Sequence, residues 1–158
     1  MANNHTAGAA ARTFAPSELC QRMLAKTSKG TCGPCILYLE DGTIFYGRAC
    51  GAEGTATGEV CFNTSLEGYF EVMTDPSYAG QIVTMTYPQI GNYGIDETDV
   101  QSAFPGDAVR PASAPAMRGM IVRDMCATPS NWRSAVSVPE YLRAPGIVAI
   151  EGVDTRAL

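Results

Sequence analysis

The stretch Ile36-Leu37-Tyr38-Leu39-Glu40-Asp41-Gly42-Thr43-Ile44-Phe45-Tyr46-Gly47 leaves the chain little conformational choice. Two runs of β-branched and aromatic residues flank Asp-Gly, a pair that reaches positive φ cheaply and therefore closes tight hairpins. Strands are expected over 36–39 and 43–47, and again over 59–64, 81–87 (stopped by Pro88) and 120–122. Residues 146–150, Gly146-Ile147-Val148-Ala149-Ile150, form a continuous apolar run of the kind buried on both faces of a sheet. Residues 69–73 read either as extended chain or as the edge of a helix. Ser137-Val138-Pro139-Glu140 has the capping-box form, so a helix is expected through Tyr141 and Leu142. Asp96 is placed to cap a short helix over 96–102, and Asp154 to cap another. The fold class that accommodates these pieces is strand-rich α+β: layered β/β/α, mixed sheets with a few short helices, and at least one strand–helix–strand crossover.

Of the 158 residues, 46% are hydrophobic and 17% charged, enough for one domain with a core. Residues 1–15 are small and polar, and residues 1–34 are expected to be a disordered leader with a short helix over 17–27; the domain then runs over 35–158. The net charge of −5 with no basic patch argues against a nucleic-acid partner. No run approaches the ~20 apolar residues of a membrane span. The leader lacks the charged start and apolar run of a signal peptide, so a cytoplasmic location with reduced cysteines is expected. Residues 104–116, rich in proline and alanine, read as a surface loop. Trp132 is expected to anchor packing, Cys61 to be a small core residue, and Arg123, Asp124 and Arg133 to be solvated.

Chemistry is bounded by one count. The sole histidine is His5, so a Cys–His or Ser–His pair has no base within the domain. Among six cysteines, Cys32-Gly33-Pro34-Cys35 has dithiol spacing, and a stand-alone CxxC redox protein is the alternative reading. Redox pairs normally open a helix whose N-terminus stabilises the thiolate. Here the pair follows Ser28-Lys29-Gly30 and precedes a strand, an order that opposes that role. No second close pair completes a zinc site, so no metal is expected. A small-molecule-binding or scaffold module with no enzymatic parent is a third reading.

Residues 63–94, NTSLEGYFEVMTDPSYAGQIVTMTYPQIGNYG, interleave strand formers with an unusual density of Gly, Pro, Asn, Asp and Ser. Asp75-Pro76-Ser77-Tyr78 suits a turn with Asp first and Pro second, and Gly91-Asn92-Tyr93-Gly94 makes a second sharp loop. Such loops either bring backbone close to a ligand or neighbouring chain, or simply connect strands.

With the flanking segments LEDGTIFYGRACG, RGMIVRD, SNWRS and GIVAIEGVDTRAL, this stretch closely resembles the N-terminal domain of the small subunit of glutamine-dependent carbamoyl phosphate synthetase, in register from about Ile36 to Leu158. The resemblance implies a swivelling β/β/α domain that docks on a large subunit. It also implies packing against a second, class I amidotransferase domain with a Cys–His–Glu triad. Ammonia released there from L-glutamine passes through a tunnel to the large subunit, where ATP and bicarbonate yield carbamoyl phosphate for arginine and pyrimidine synthesis. ATP and Mg belong to the large subunit, so no cofactor is implied for this chain.

The resemblance assigns Ser77 a contact to glutamine across the domain interface. It places Asn63, Thr64, Ser65 and Asp75, together with Gly91 and Asn92, near the interface or the ammonia route, although Asp75 also suits a cap of its own turn. No catalytic residue is expected: the nearest approach to a G-x-C-x-G elbow, Gly30-Thr31-Cys32-Gly33-Pro34, ends in proline. The implied domain continues past Leu158 with a further helix and strand, so the sequence reads as truncated. Exposed apolar surface on the last strand, reduced stability or self-association, and loss of glutamine affinity are the corresponding expectations.

Overall fold

A computed structural model describes residues 33–95 and 115–158. The expected helices over 17–27 and 96–102, together with Cys32, His5 and residues 104–114, lie outside the described residues. The elements are β1 (Pro34–Tyr38), β2 (Ile44–Ala49), β3 (Val60–Asn63), α1 (Tyr69–Thr74), a 3₁₀ turn (Pro76–Tyr78), β4 (Ile82–Met85), β5 (Gln89–Ile90), β6 (Gly119–Ile121), β7 (Asp124–Met125), α2 (Val138–Arg143) and β8 (Val148–Glu151). The class is the expected strand-rich α+β.

Six strands form one mixed sheet in the order β1-β2-β8-β6-β4-β3, and β5 and β7 form a two-stranded parallel ladder. β1 and β2 are the expected hairpin, with Leu37 opposite Phe45. Its turn closes through Leu39 N–H to the Thr43 carbonyl at 2.9 Å, while Asp41 Oδ1 accepts from Thr43 N–H at 2.8 Å. β3, β4, β6 and β8 are mutually parallel, joined by crossovers that carry α1 and α2. β8 pairs antiparallel with β2, so it is the seam between the hairpin and the parallel strands. At that seam Arg48 Nη2 meets Glu151 Oε1 at 2.8 Å, and Glu151 Oε2 accepts from Met125 N–H at 3.2 Å. Gly47 is required by the approach of β8, because a Cβ there would overlap the Glu151 carbonyl oxygen.

Alternation along the strands sends side chains to two cores. Val83, Met85, Met120 and Ala149 face one side, where Tyr69, Phe70 and Met73 of α1, Val138 and Leu142 of α2, and Ile90 and Met125 of the small ladder cover them. Leu37, Ile121, Ile150 and Val153 face the other, with Cys35, Phe45, Val60, Ile82 and Leu158 packed alongside. α2 begins with the expected box: Glu140 Oε2 accepts from the Ser137 hydroxyl at 2.6 Å and from its N–H at 3.3 Å, which holds the Glu140 carboxyl below its ordinary range.

Four expectations need correction. The final strand does not expose an apolar face: Ala149 and Ile150 are 1% and 5% exposed, because Ala149 packs into the main core and Ile150 into the second. Within the six-stranded sheet, the large apolar side chains that are exposed are Ile36 and Tyr38 on β1 and Phe62 on β3, the two edge strands. The end of the 104–116 loop is not at the surface, since Pro115 and Ala116 are buried and Ala116 N–H donates to the Met73 carbonyl at 2.8 Å. Asp154 caps a single turn, accepting from Arg156 N–H at 3.1 Å. Trp132 does not anchor packing: it is 89% exposed, at a turn held by Asn131, with the Arg133 guanidinium 5.1 Å from its ring centre.

Candidate functional site

The Asp75–Tyr78 turn is fixed by short-range hydrogen bonds. Pro76 sets the φ of the first 3₁₀ residue. Tyr78 N–H reaches the Asp75 carbonyl at 3.1 Å and Ala79 N–H the Pro76 carbonyl at 3.0 Å. Asp75 Oδ1 accepts from Ser77 N–H at 2.8 Å, so Asp75 caps its own turn. Ser77 is exposed at the middle of this turn, on backbone with little freedom to move.

Asn63, at the end of β3, serves two loops. Its Oδ1 accepts from Ser65 N–H at 2.9 Å, which fixes the amide orientation and leaves Nδ2 to donate to the Tyr78 phenol at 3.0 Å. Thr64, Ser65 and Leu66 follow as an exposed segment. Asn63, Ser65, Asp75 and Ser77 are therefore joined through one set of contacts.

Gly91 and Asn92 are brought elsewhere. Gly91 has φ +94° and is buried, and a Cβ there would lie 2.9 Å from the Cys126 carbonyl oxygen. The Asn92 carbonyl accepts from Ser130 N–H at 3.0 Å, tying the loop to the segment before Trp132. Its link to the first group runs through α1. Gly68 has no side chain to cap that helix, and the Tyr93 hydroxyl accepts from Gly68 N–H at 2.7 Å and Tyr69 N–H at 3.2 Å. The Tyr69 and Tyr93 rings stack with centroids 4.1 Å apart, and the Tyr69 hydroxyl donates to the Gly94 carbonyl at 2.7 Å. Burial pushes both phenols above their ordinary range, which favours the neutral hydroxyl at each. α1 thus has the Gly91–Gly94 loop at its start and the Asp75–Tyr78 turn at its end.

Nothing local in the sequence marks Tyr69, Tyr78 and Tyr93 as structural ties; the one signal is that Tyr78 and Tyr93 are aromatic residues set in loops otherwise made of small or turn-forming ones.

The dithiol alternative finds no support. Cys35 lies in β1, half-buried against the second core, and burial pushes its thiol up, away from the thiolate that redox exchange needs. Cys61 packs against the main core as expected, its thiol raised by burial and then by the Glu59 charge. Among the described residues no three His, Cys, Asp or Glu side chains gather as a metal site, and no helix is long and apolar enough to cross a membrane. A concavity of about 880 Å³ opens on the second-core side, bordered by Cys35, Leu37, Val60, Ile82 and Ile121 but not by Ser77 or Asp75.

Residues 37–158 match the family model of the carbamoyl-phosphate synthase small chain, CPSase domain. The chain is 55% identical over 123 residues to the carbamoyl phosphate synthase small chain of Solidesulfovibrio magneticus, covering 78% of this chain and 30% of that protein. It is 54% identical over 123 residues to that of Thermotoga maritima, with 78% and 29% covered. It is 54% identical over 125 residues to that of Xanthomonas axonopodis pv. citri, with 79% and 29% covered. The chain spans about 30% of the length of these relatives. A family model matched over most of the chain, and relatives identical at more than half of the aligned positions, place this protein in the carbamoyl phosphate synthase small-chain family, whose CPSase domain it carries.

Proposed function

We propose that this chain is the N-terminal docking and interface domain of a glutamine-hydrolysing carbamoyl phosphate synthase small subunit. The observation that carries the reading is the match over residues 37–158. In this reading a separate amidotransferase domain hydrolyses L-glutamine. The ammonia passes to a large subunit, which uses ATP and Mg to make carbamoyl phosphate from bicarbonate for arginine and pyrimidine synthesis. The complex is a cytoplasmic heterodimer. These 158 residues contribute no catalytic residue and no cofactor of their own: their one histidine is His5, and they contain no G-x-C-x-G elbow.

Ser77 is the residue that touches glutamine. Its support is chemical: a hydroxyl both donates and accepts, which suits the ammonium and carboxylate of an amino acid, and the turn beneath it is fixed by Asp75. Asn63, Ser65 and Asp75 shape the surface beside it, and Gly91 and Asn92 belong to the more distant interface.

The test is glutamine-dependent kinetics of a full-length small chain carrying this segment, assembled with its large subunit. Ser77→Ala is expected to raise the KM for glutamine roughly tenfold, the scale of one hydrogen bond to a charged group. An unchanged KM overturns the assignment of Ser77. Failure of the small chain to co-purify with the large subunit overturns the docking role.

A further inference from the structure

The turn that carries Ser77 is braced from a distance. Tyr78, the next residue, is half-buried and packs its ring against the main core. Its hydroxyl ends on Asn63 Nδ2, 3.0 Å away and 15 residues earlier in the chain. Tyr78 N–H and carbonyl are both engaged as well, to the Asp75 carbonyl at 3.1 Å and from Gln81 N–H at 3.0 Å. The residue is therefore held at its backbone and at the tip of its side chain, with a rigid ring between. On the other side, Asn63 continues β3, where it stands opposite Met85 in the sheet, and its Oδ1 holds the Ser65 loop.

We propose that Tyr78 and Asn63 are positioning residues for glutamine. They form a strut that sets the height and direction of Ser77 against the sheet and couples it to the Asn63–Ser65 loop. The proposal rests on Ser77 contacting glutamine. Asp75 alone fixes the Ser77 N–H but leaves the turn able to pivot about its two ends; the phenol–amide bond removes that pivot.

The polarity of the bond gives a selective test. Tyr78→Phe keeps the ring and removes the hydroxyl, and Asn63→Leu removes the amide. Asn63→Asp keeps an acceptor for Ser65 N–H and offers a carboxylate oxygen to which the Tyr78 hydroxyl donates, so the bond survives with its direction reversed.

In the full-length small chain assembled with its large subunit, Tyr78→Phe and Asn63→Leu are each expected to raise the glutamine KM roughly three- to tenfold, the scale of one lost hydrogen bond, with kcat within about twofold. The double variant is expected to be no worse than the poorer single one, because one tie is removed twice. Asn63→Asp is expected to restore the KM, and to lose it again when combined with Tyr78→Phe.

Co-purification with the large subunit and the thermal melt of the small chain serve as the controls for folding. If Tyr78→Phe lowers either of them along with the glutamine-driven rate, the residue is structural only and the proposal falls. If Ser77→Ala raises KM while Tyr78→Phe and Asn63→Leu leave it within about twofold, the strut is wrong and the Ser77 contact stands. If Ser77→Ala itself has no effect, the glutamine contact is wrong and the strut falls with it.

Discussion

The two loops at the ends of α1 each set one tyrosine among turn-forming residues, yet they differ in construction. The Asp75–Tyr78 turn keeps Ser77 at the surface and draws its order from side chains, the Asp75 carboxylate and the Tyr78 phenol. The Gly91–Gly94 loop has Gly91 buried against the Cys126 carbonyl and draws its order from backbone shape, with Tyr93 passing that order to the start of α1. A loop organised by side chains leaves a reactive group available to a ligand. A loop organised by glycine packing transmits position and exposes little.

This contrast is broken most severely at Gly91. Gly91→Ala forces an L-residue to positive φ and a Cβ against the Cys126 carbonyl, so a loss of roughly 2–4 kcal/mol is expected in thermal or denaturant melts. A loss below ~1 kcal/mol would show that the loop can shift away. Next comes Tyr93→Phe, which removes the acceptor for Gly68 N–H and Tyr69 N–H while keeping the stacked ring. A loss of roughly 1–3 kcal/mol is expected, together with faster hydrogen exchange at those two amides. Unchanged exchange there would mean another group caps α1. The smallest effect is expected at Asp75→Ala, about 1 kcal/mol or less, because the backbone bonds of the turn persist. A loss there as large as that at Gly91 would erase the distinction between the two loops.

How much of this was legible in the sequence depends on how local each cause is. The Asp41-Gly42 hairpin, the Ser137–Glu140 box and the Asp75–Tyr78 turn are each determined by residues within four positions, and each appears where the residues place it. α1 stood undecided between strand and helix because its cap, Tyr93, is 24 residues from the amide of Tyr69. β5 and β7 are two residues long and exist only because Gln89 and Asp124 come opposite one another in the folded chain, so no period could announce them. Trp132 misled because a large apolar ring is usually buried. Asn131 turns the chain outward there, and the only ring contact described is the Arg133 guanidinium. The site reading fared likewise: Asp75 and Ser77 are neighbours in sequence and in space, while the phenol–amide bond across 15 residues had no local signal.

The position of β8 carries a consequence for how the polypeptide is made. Residues 148–151 pair with β2 on one side and β6 on the other, yet they leave the ribosome after every other strand of the sheet. Until they emerge, no strand is available to join the β1–β2 hairpin to the parallel strands β3, β4 and β6. The inner rims of both halves remain open for pairing with another chain. The described sheet therefore cannot be completed before residues 148–151 have been synthesised.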